Sequence, residues 1–323
     1  MKALRQAAAD YLALRRSLGF KLSRTGTRLR QFLSFMAERK RTRITTALAL
    51  EFATLDQRLS LKTRASRLSA VRGFARYRID DDPATETPPF GLLPARSRPA
   101  RPYLYSEQEI IRLLEAAKDY PSWNRFPGPW YRRYRSRAYF CIFGLLAVTG
   151  MRIGEVLALQ AADIDWKESI LTLRKAKFGK SRLVPLHPST LEALADYVRH
   201  RDAFFSRARP GVALRAFFVT TCGTRFAVTD VDRAFLGISR QIGLRASDAS
   251  HGPRLHDFRH RFAIETLLRW YRRGEKVERL LPVLSTWLGH THVSGTYWYL
   301  SCAPELMAAA GERLEARWKG AVR

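Results

Sequence analysis

Acidic side chains and cysteines are scarce in this chain, and long apolar runs are absent. Asp and Glu number 29 against 57 Lys and Arg, leaving a net charge of +28 that is spread along the chain rather than confined to a tail. An excess of one sign on that scale points to a polyanionic partner. A membrane surface is the weaker reading, because no apolar stretch approaches the roughly 18 residues that a membrane span requires, and no membrane partner is expected. The N-terminus, Met1-Lys2-Ala3-Leu4-Arg5, lacks the apolar core of a signal peptide. The three cysteines, Cys141, Cys222 and Cys302, are odd in number and widely spaced. They fit neither a disulfide frame nor a zinc site, which predicts plain thiols in a reducing cytoplasm.

What is present is a globular composition, 46% apolar and 11% aromatic over 323 residues, enough for two domains and a sizeable core. The first 80 residues read as four helices, near 3–18, 25–39, 45–57 and 61–78. Leu29, Phe32, Leu33 and Met36 fall at i, i+3, i+4 and i+7, and Leu68, Val71 and Phe74 repeat at steps of three. This section holds 19 Lys/Arg against 5 Asp/Glu, and the other 243 residues hold 38 against 24. A quarter of the chain therefore carries half of the excess charge. So one-signed a surface is unlike a salt-bridged solvated face and predicts DNA contact, chiefly to phosphates.

Pro83, Pro88, Pro89, Pro94, Pro99 and Pro102 crowd the next twenty residues, with Arg96, Arg98 and Arg101 among them. Proline blocks helix continuation, so 83–102 is predicted to be a basic linker. Ser106-Glu107-Gln108-Glu109 has the pattern of a helix capping box. It opens a second domain, 103–323, which reads as mostly helical with short strands at 170–173, 182–186 and 217–220. The first two strands flank Arg174–Ser181, a predicted hairpin turn containing Gly179. Residues 121–137 are basic and aromatic, suited equally to tracking DNA and to a packed surface loop. The fold class expected is mainly α with a small β-hairpin sheet.

Three segments carry candidate chemistry. Arg152 lies in Thr149-Gly150-Met151-Arg152-Ile153-Gly154-Glu155, flanked by core-like sequence. An arginine buried there needs an anion, either a phosphate or Glu155. His256 and Arg259 are three apart and share a helix face; the alternative is an ordinary basic face together with His260 and Arg261. The third segment runs Leu288-Gly289-His290-Thr291-His292-Val293-Ser294-Gly295-Thr296-Tyr297-Trp298-Tyr299. Cleaving a phosphodiester without metal needs positive charge on the non-bridging oxygens, an in-line nucleophile and a proton for the leaving oxygen. Arginine suits the first task, because its fork binds two phosphate oxygens and stays charged. A tyrosine becomes a nucleophile only beside cations or a base, and chemistry alone leaves Tyr297 and Tyr299 equal. His290 and His292 have no cysteine or carboxylate cluster near them and are not read as a metal pair, so no metal or cofactor is expected.

Arg152 in its Thr-Gly-Met-Arg-Ile-Gly-Glu string, His256-x-x-Arg259, Leu-Gly-His290 and a tyrosine nine residues later resemble the signature of the tyrosine recombinase (phage integrase-like) family over about 103–302. The first 82 residues are similar to that family's helical core-binding domain. The resemblance implies a catalytic α+β domain and selects Tyr299 over Tyr297 as nucleophile. It implies Arg152, Arg259 and His290 on the scissile phosphate, with His256 as acid/base. The family's hairpin lysine falls on Lys177 within Lys177-Phe178-Gly179-Lys180-Ser181-Arg182-Leu183-Val184-Pro185-Leu186. Phe178 departs from the family's usual small residue, and Lys175 and Lys180 stay open as alternatives.

The activity implied is site-specific recombination of a mobile element through a 3′-phosphotyrosyl intermediate. Its partners would be double-stranded DNA with inverted-repeat core sites, and a homo-tetramer or a hetero-assembly with sister recombinases. The expected location is cytoplasmic and nucleoid-associated. Leu306, Met307, Ala310, Leu314 and Trp318 fall near helical spacing in a tail after the nucleophile, which in related recombinases docks on a neighbouring protomer; packing on its own domain is the alternative. A type IB topoisomerase activity and a non-catalytic DNA-binding protein on the same fold are the other readings.

Overall fold

A computed structural model describes residues 1–94, 102–120, 129–174, 181–249, 251–290, 292–300 and 304–321. The chain forms two compact units, residues 1–100 and 101–323.

The first unit is four helices, α1 (Lys2–Ser17), α2 (Ser23–Glu38), α3 (Thr46–Thr54) and α4 (Leu61–Arg78). The predicted stripes are its core. Leu29, Phe32, Leu33 and Met36 of α2 are buried with Leu68, Val71 and Phe74 of α4 and Phe52 of α3. Each such side chain contributes about 1.5–3 kcal/mol on burial. Thr45 and Ser60 cap α3 and α4 by accepting from Leu48 N and Thr63 N. Residues 83–90 pack back on these helices. The Glu86 carboxylate accepts from Thr46 N at 2.8 Å, and Arg72 donates to the carbonyls of Pro88 and Pro89, both at 2.7 Å. Pro99 and Arg96, Arg98 and Arg101 lie outside the described residues.

The second unit is mainly helical, with a three-stranded antiparallel sheet in the order β1 (Ile164–Asp165), β2 (Ile170–Leu173), β3 (Arg182–Pro185). Thr172 pairs with Leu183 and Leu173 with Arg182, so β2 and β3 are the arms of the predicted hairpin. Its turn, 175–180, lies outside the described residues, and with it Lys175, Lys177 and Lys180. Residues 121–128 of the basic aromatic insertion and Cys302 lie outside them too. The stretch 217–220 differs from its strand prediction, because Val219 makes only an isolated bridge to Arg225. Phe217, Phe218 and Val219 are all buried. Their carbonyls are taken by tyrosine hydroxyls, Tyr134 to Val219 O at 2.5 Å and Tyr197 to Phe217 O at 3.2 Å, in place of a strand ladder.

Helices α5 (Glu107–Asp119), α6 (Pro129–Thr149), α8 (Pro188–Ala208) and α9 (Val228–Gln241) enclose the main core of this unit. The capping box expected at Ser106 is formed reciprocally with Glu109. The short α7 (Ile153–Val156) follows α6. A second core lies among α10 (Asp257–Arg272), α11 (Val277–Leu288), α12 (Ser294–Leu300) and α13 (Pro304–Ala321). No helix among the described residues is long and apolar enough to cross a membrane.

Candidate functional site

The site begins at a turn. Gly150, which follows the last residue of α6, has φ +62°, and a Cβ there would lie 2.6 Å from the Phe262 ring. That bend delivers Arg152 to the N-cap of α7, where its backbone N–H donates to Glu155 Oε2 at 3.0 Å. Arg152 Nη1 meets Glu155 Oε1 at 2.9 Å, so the pair considered from sequence does form. The carboxylate is not exclusive to Arg152, however. Arg182 of β3 grips the same group with Nη2 at 2.8 Å from Oε2 and Nη1 at 3.2 Å from Oε1. Burial alone would raise the Glu155 carboxyl, but the hydrogen bonds from Arg182 and from the Arg152 backbone bring it down to about 2.

The second arginine arrives from α10. Arg259 is 2% exposed, with Nη1 donating to Gly150 O at 2.9 Å and Nη2 to Leu288 O at 2.5 Å. Arg152 Nη2 donates to the next carbonyl, Gly289 O, at 3.1 Å. Consecutive carbonyls at the C-terminus of α11 thus anchor both guanidiniums, where a helix end favours cations. Gly289 is left-handed, φ +65°, as a helix C-cap requires. A Cβ there would lie 2.7 Å from Arg182 Nη1 and 3.6 Å from Arg152 Nη1, so two arginines crowd this one glycine. Burial, then the neighbouring Arg152 charge, lowers Arg259 to about 10, still a cation at neutral pH.

His290 follows directly. Its Nδ1 lies 2.8 Å from Thr296 Oγ1, and burial followed by the Arg259 and Arg152 charges drops it to about 4. The ring is neutral near pH 7. His256 occupies the N-cap of α10. It is exposed overall, yet the desolvation it does suffer, with the Arg259 charge, lowers its pKa as well.

Tyr299 of α12 is 2% exposed and Tyr297 is 53% exposed. The Tyr299 ring stacks 6.2 Å from His290, at 18° between planes. Arg152, Arg259, His290 and Tyr299 therefore gather in one region, and His256 shares α10 with Arg259. Lys177 lies outside the described residues, although β3 carries its hairpin to Arg182 beside the Glu155 carboxylate. Reasoning from sequence missed two members of this group. Arg182 sat within the lysine motif without a role, and its spacing from Glu155 has no local signal. His260 was left on a plain basic face, but its ring lies 5.5 Å from that of Tyr299.

The first unit carries a second candidate surface. Arg24, Thr27, Arg28, Gln31, Thr63 and Arg67 line a shallow concavity of about 350 Å³ on α2 and α4. Burial, then the Arg24 and Arg67 charges, lowers the Arg28 pKa. Among the described residues none of these three arginines has a carboxylate within ion-pair distance. Crowded cations without counter-charge suit a phosphate backbone.

Residues 105–305 match the family model described as "Phage integrase family". The chain is 48% identical over 321 residues to "Putative integrase/recombinase y4rB" of Sinorhizobium fredii (strain NBRC 101917 / NGR234), covering 99% of each. It is 28% identical over 247 residues to "Tyrosine recombinase XerC" of Chlamydia trachomatis serovar L2, covering 76% of this chain and 69% of the relative. Among solved structures it resembles the Tn1549 transposon integrase in complex with transposon right end DNA, with TM-score 0.63, 16% identity and coverage of 96% and 98%. A lambda integrase dimer bound to a core site gives TM-score 0.56, 18% identity and coverage of 93% and 96%. At these identities the two structures speak for the fold.

Proposed function

Because this chain belongs to the phage integrase family and is a tyrosine-type site-specific recombinase, we propose that Tyr299 is its nucleophile and that Arg152, Arg259 and His290 hold the scissile phosphate. The observation that carries this reading is the anchoring of both arginines on the consecutive carbonyls of Leu288 and Gly289, immediately before His290. Two guanidiniums held to one strand of backbone can share one phosphate and meet the charge that builds on its non-bridging oxygens. In the tautomer proposed, Nδ1 accepts from the Thr296 hydroxyl 2.8 Å away, which leaves the His290 proton on Nε2 for donation to the phosphate.

In the step proposed, the Tyr299 oxygen bonds to phosphorus and the bond to the 5′-oxygen breaks. His256 acts as acid/base for the tyrosine proton, and Lys177 protonates the leaving 5′-hydroxyl. The 3′-phosphotyrosyl bond conserves the phosphodiester, so a second 5′-hydroxyl can reverse the step and exchange strands. The first 82 residues, joined through the linker 83–102, are the core-binding domain, with the Arg24–Arg28–Arg67 surface on DNA phosphates. The substrate is double-stranded DNA with inverted-repeat core sites, cut by a homo-tetramer or with sister recombinases, in integration, excision or transposition of a mobile element. Such a protein works in the cytoplasm, on the nucleoid.

The test is a core-site duplex nicked beside the cleavage point, so that the released fragment escapes and covalent protein–DNA accumulates. Wild type should trap an adduct on denaturing gels and Tyr299→Phe should trap none. An undiminished adduct with Tyr299→Phe, or one mapping to Tyr297, overturns the assignment.

A further inference from the structure

We infer that His260 is a positioning residue for the nucleophile, seating α12 on α10 by the shape of its ring. Helix α12 is about two turns long, Ser294–Leu300, too short to hold itself together in water. Where Tyr299 sits is therefore decided by what α12 packs against. Two imidazoles flank the tyrosine, His290 at 6.2 Å and His260 at 5.5 Å between ring centroids. They meet it differently. His290 is nearly parallel at 18°, whereas His260 is inclined at 61°.

His260 also reaches Trp298 at 5.2 Å and His256, one turn earlier on α10, at 4.8 Å. It thus joins two consecutive α12 side chains to the helix that carries Arg259. His290 has a second engagement, its Nδ1 with Thr296. His260 has none. Among the described residues it makes no hydrogen bond, and its Nδ1 is buried without a partner. Burial, then the nearby His256, pushes its pKa down to about 4, so the ring is neutral in the working range. A neutral ring with a buried, unpartnered Nδ1 and no side-chain hydrogen bond among the described residues acts on α12 through contact area and orientation. Without it, Tyr299 keeps the rings of His290 and of its neighbour Trp298 but loses its ring contact with α10, and it spends less time in line with the phosphate.

This inference rests on the reading of Tyr299 as nucleophile, and the experiment separates the two. Covalent trapping on the nicked core-site duplex, non-covalent binding to the intact duplex and thermal melting are measured for wild type, Tyr299→Phe, His260→Ala and His260→Phe. His260→Ala is expected to trap more than tenfold slower while duplex affinity stays within twofold. His260→Phe, which keeps a ring and discards the unpartnered nitrogen, is expected to melt no lower than wild type and to trap within about threefold of it. If His260→Ala traps at the wild-type rate while Tyr299→Phe is dead, the positioning role is wrong and the nucleophile stands. If His260→Phe is as slow as His260→Ala, ring shape is not the cause and the inference is overturned. An adduct with Tyr299→Phe defeats the nucleophile reading instead. Should His260→Ala not fold, His260→Leu, which fills the space without an aromatic face, takes its place with the same expectations.

Discussion

Arg182 grips Glu155 in a two-pronged ion pair, Nη2 to Oε2 at 2.8 Å and Nη1 to Oε1 at 3.2 Å, with both side chains at or below 10% exposure. The same carboxylate holds Arg152. One anion therefore fixes a proposed phosphate ligand and the strand that leads out of the lysine hairpin. Removing one partner of a buried pair leaves the others uncompensated. Glu155→Ala should cost about 3 kcal/mol in urea unfolding, and Glu155→Gln less, since its amide can still accept. An unfolding midpoint unchanged in Glu155→Ala would show that the carboxylate holds neither arginine in solution.

Acid should destabilise the DNA-free protein in two overlapping windows. His290 and His260 titrate near 4 when folded, against an ordinary value of 6.5. Between those values the unfolded chain binds more protons, so stability falls as pH drops from 6.5 toward 4. Glu155 is depressed from 4.5 to about 2. Its contribution is complete above 4.5 and is lost as pH falls toward 2. Urea titrations at successive pH values check the order of these losses. A flat profile from pH 6.5 to 4 would contradict neutral, half-buried imidazoles at His260 and His290.

On the first unit, Arg67→Ala should weaken binding to every duplex alike. It should also lower the slope of log affinity against log salt by about 0.9, the value for one lost phosphate contact. Arg24→Ala should do the same. Affinity measured over a salt series gives the slope. An unchanged slope would place this face of α2 and α4 away from the DNA backbone.

The tail helix α13 is anchored on its own domain through Leu306, 1% exposed and packed with the α10–α12 core. Of the other expected stripe positions Ala310 is half-buried, but Met307 is 61%, Leu314 48% and Trp318 64% exposed. Exposed apolar side chains at helical spacing suit a second copy of the chain. Leu314→Ala with Trp318→Ala should leave melting and single-site binding unchanged and reduce paired-site complexes at least tenfold on native gels. Full pairing by the double variant would remove the tail from assembly.

Local pattern determined much of this protein. The periodicity of Leu29, Phe32, Leu33 and Met36 placed α2, because one apolar face must be buried whatever covers it. Ser106 and Glu109 marked the start of α5, because capping acts over three residues. The strings around Arg152, Arg259 and His290 were legible for the same reason, each being a short run of consecutive chain. Tertiary structure decided what those runs do together. Arg259 reaches Gly150 across 109 residues and Arg152 reaches Gly289 across 137, and no helical or strand period links positions so far apart. Residues 217–220 were misread as a strand because tyrosine hydroxyls from distant helices satisfy their carbonyls. Glu155 looked like a partner for Arg152 alone, and only the fold of β3 brought Arg182 to share it. His260 looked like one more basic surface residue until α12 packed its tyrosine against that ring. Spacing along a chain records which residues share an element; the folding of distant elements onto one another determines which residues share a charge or a ring face.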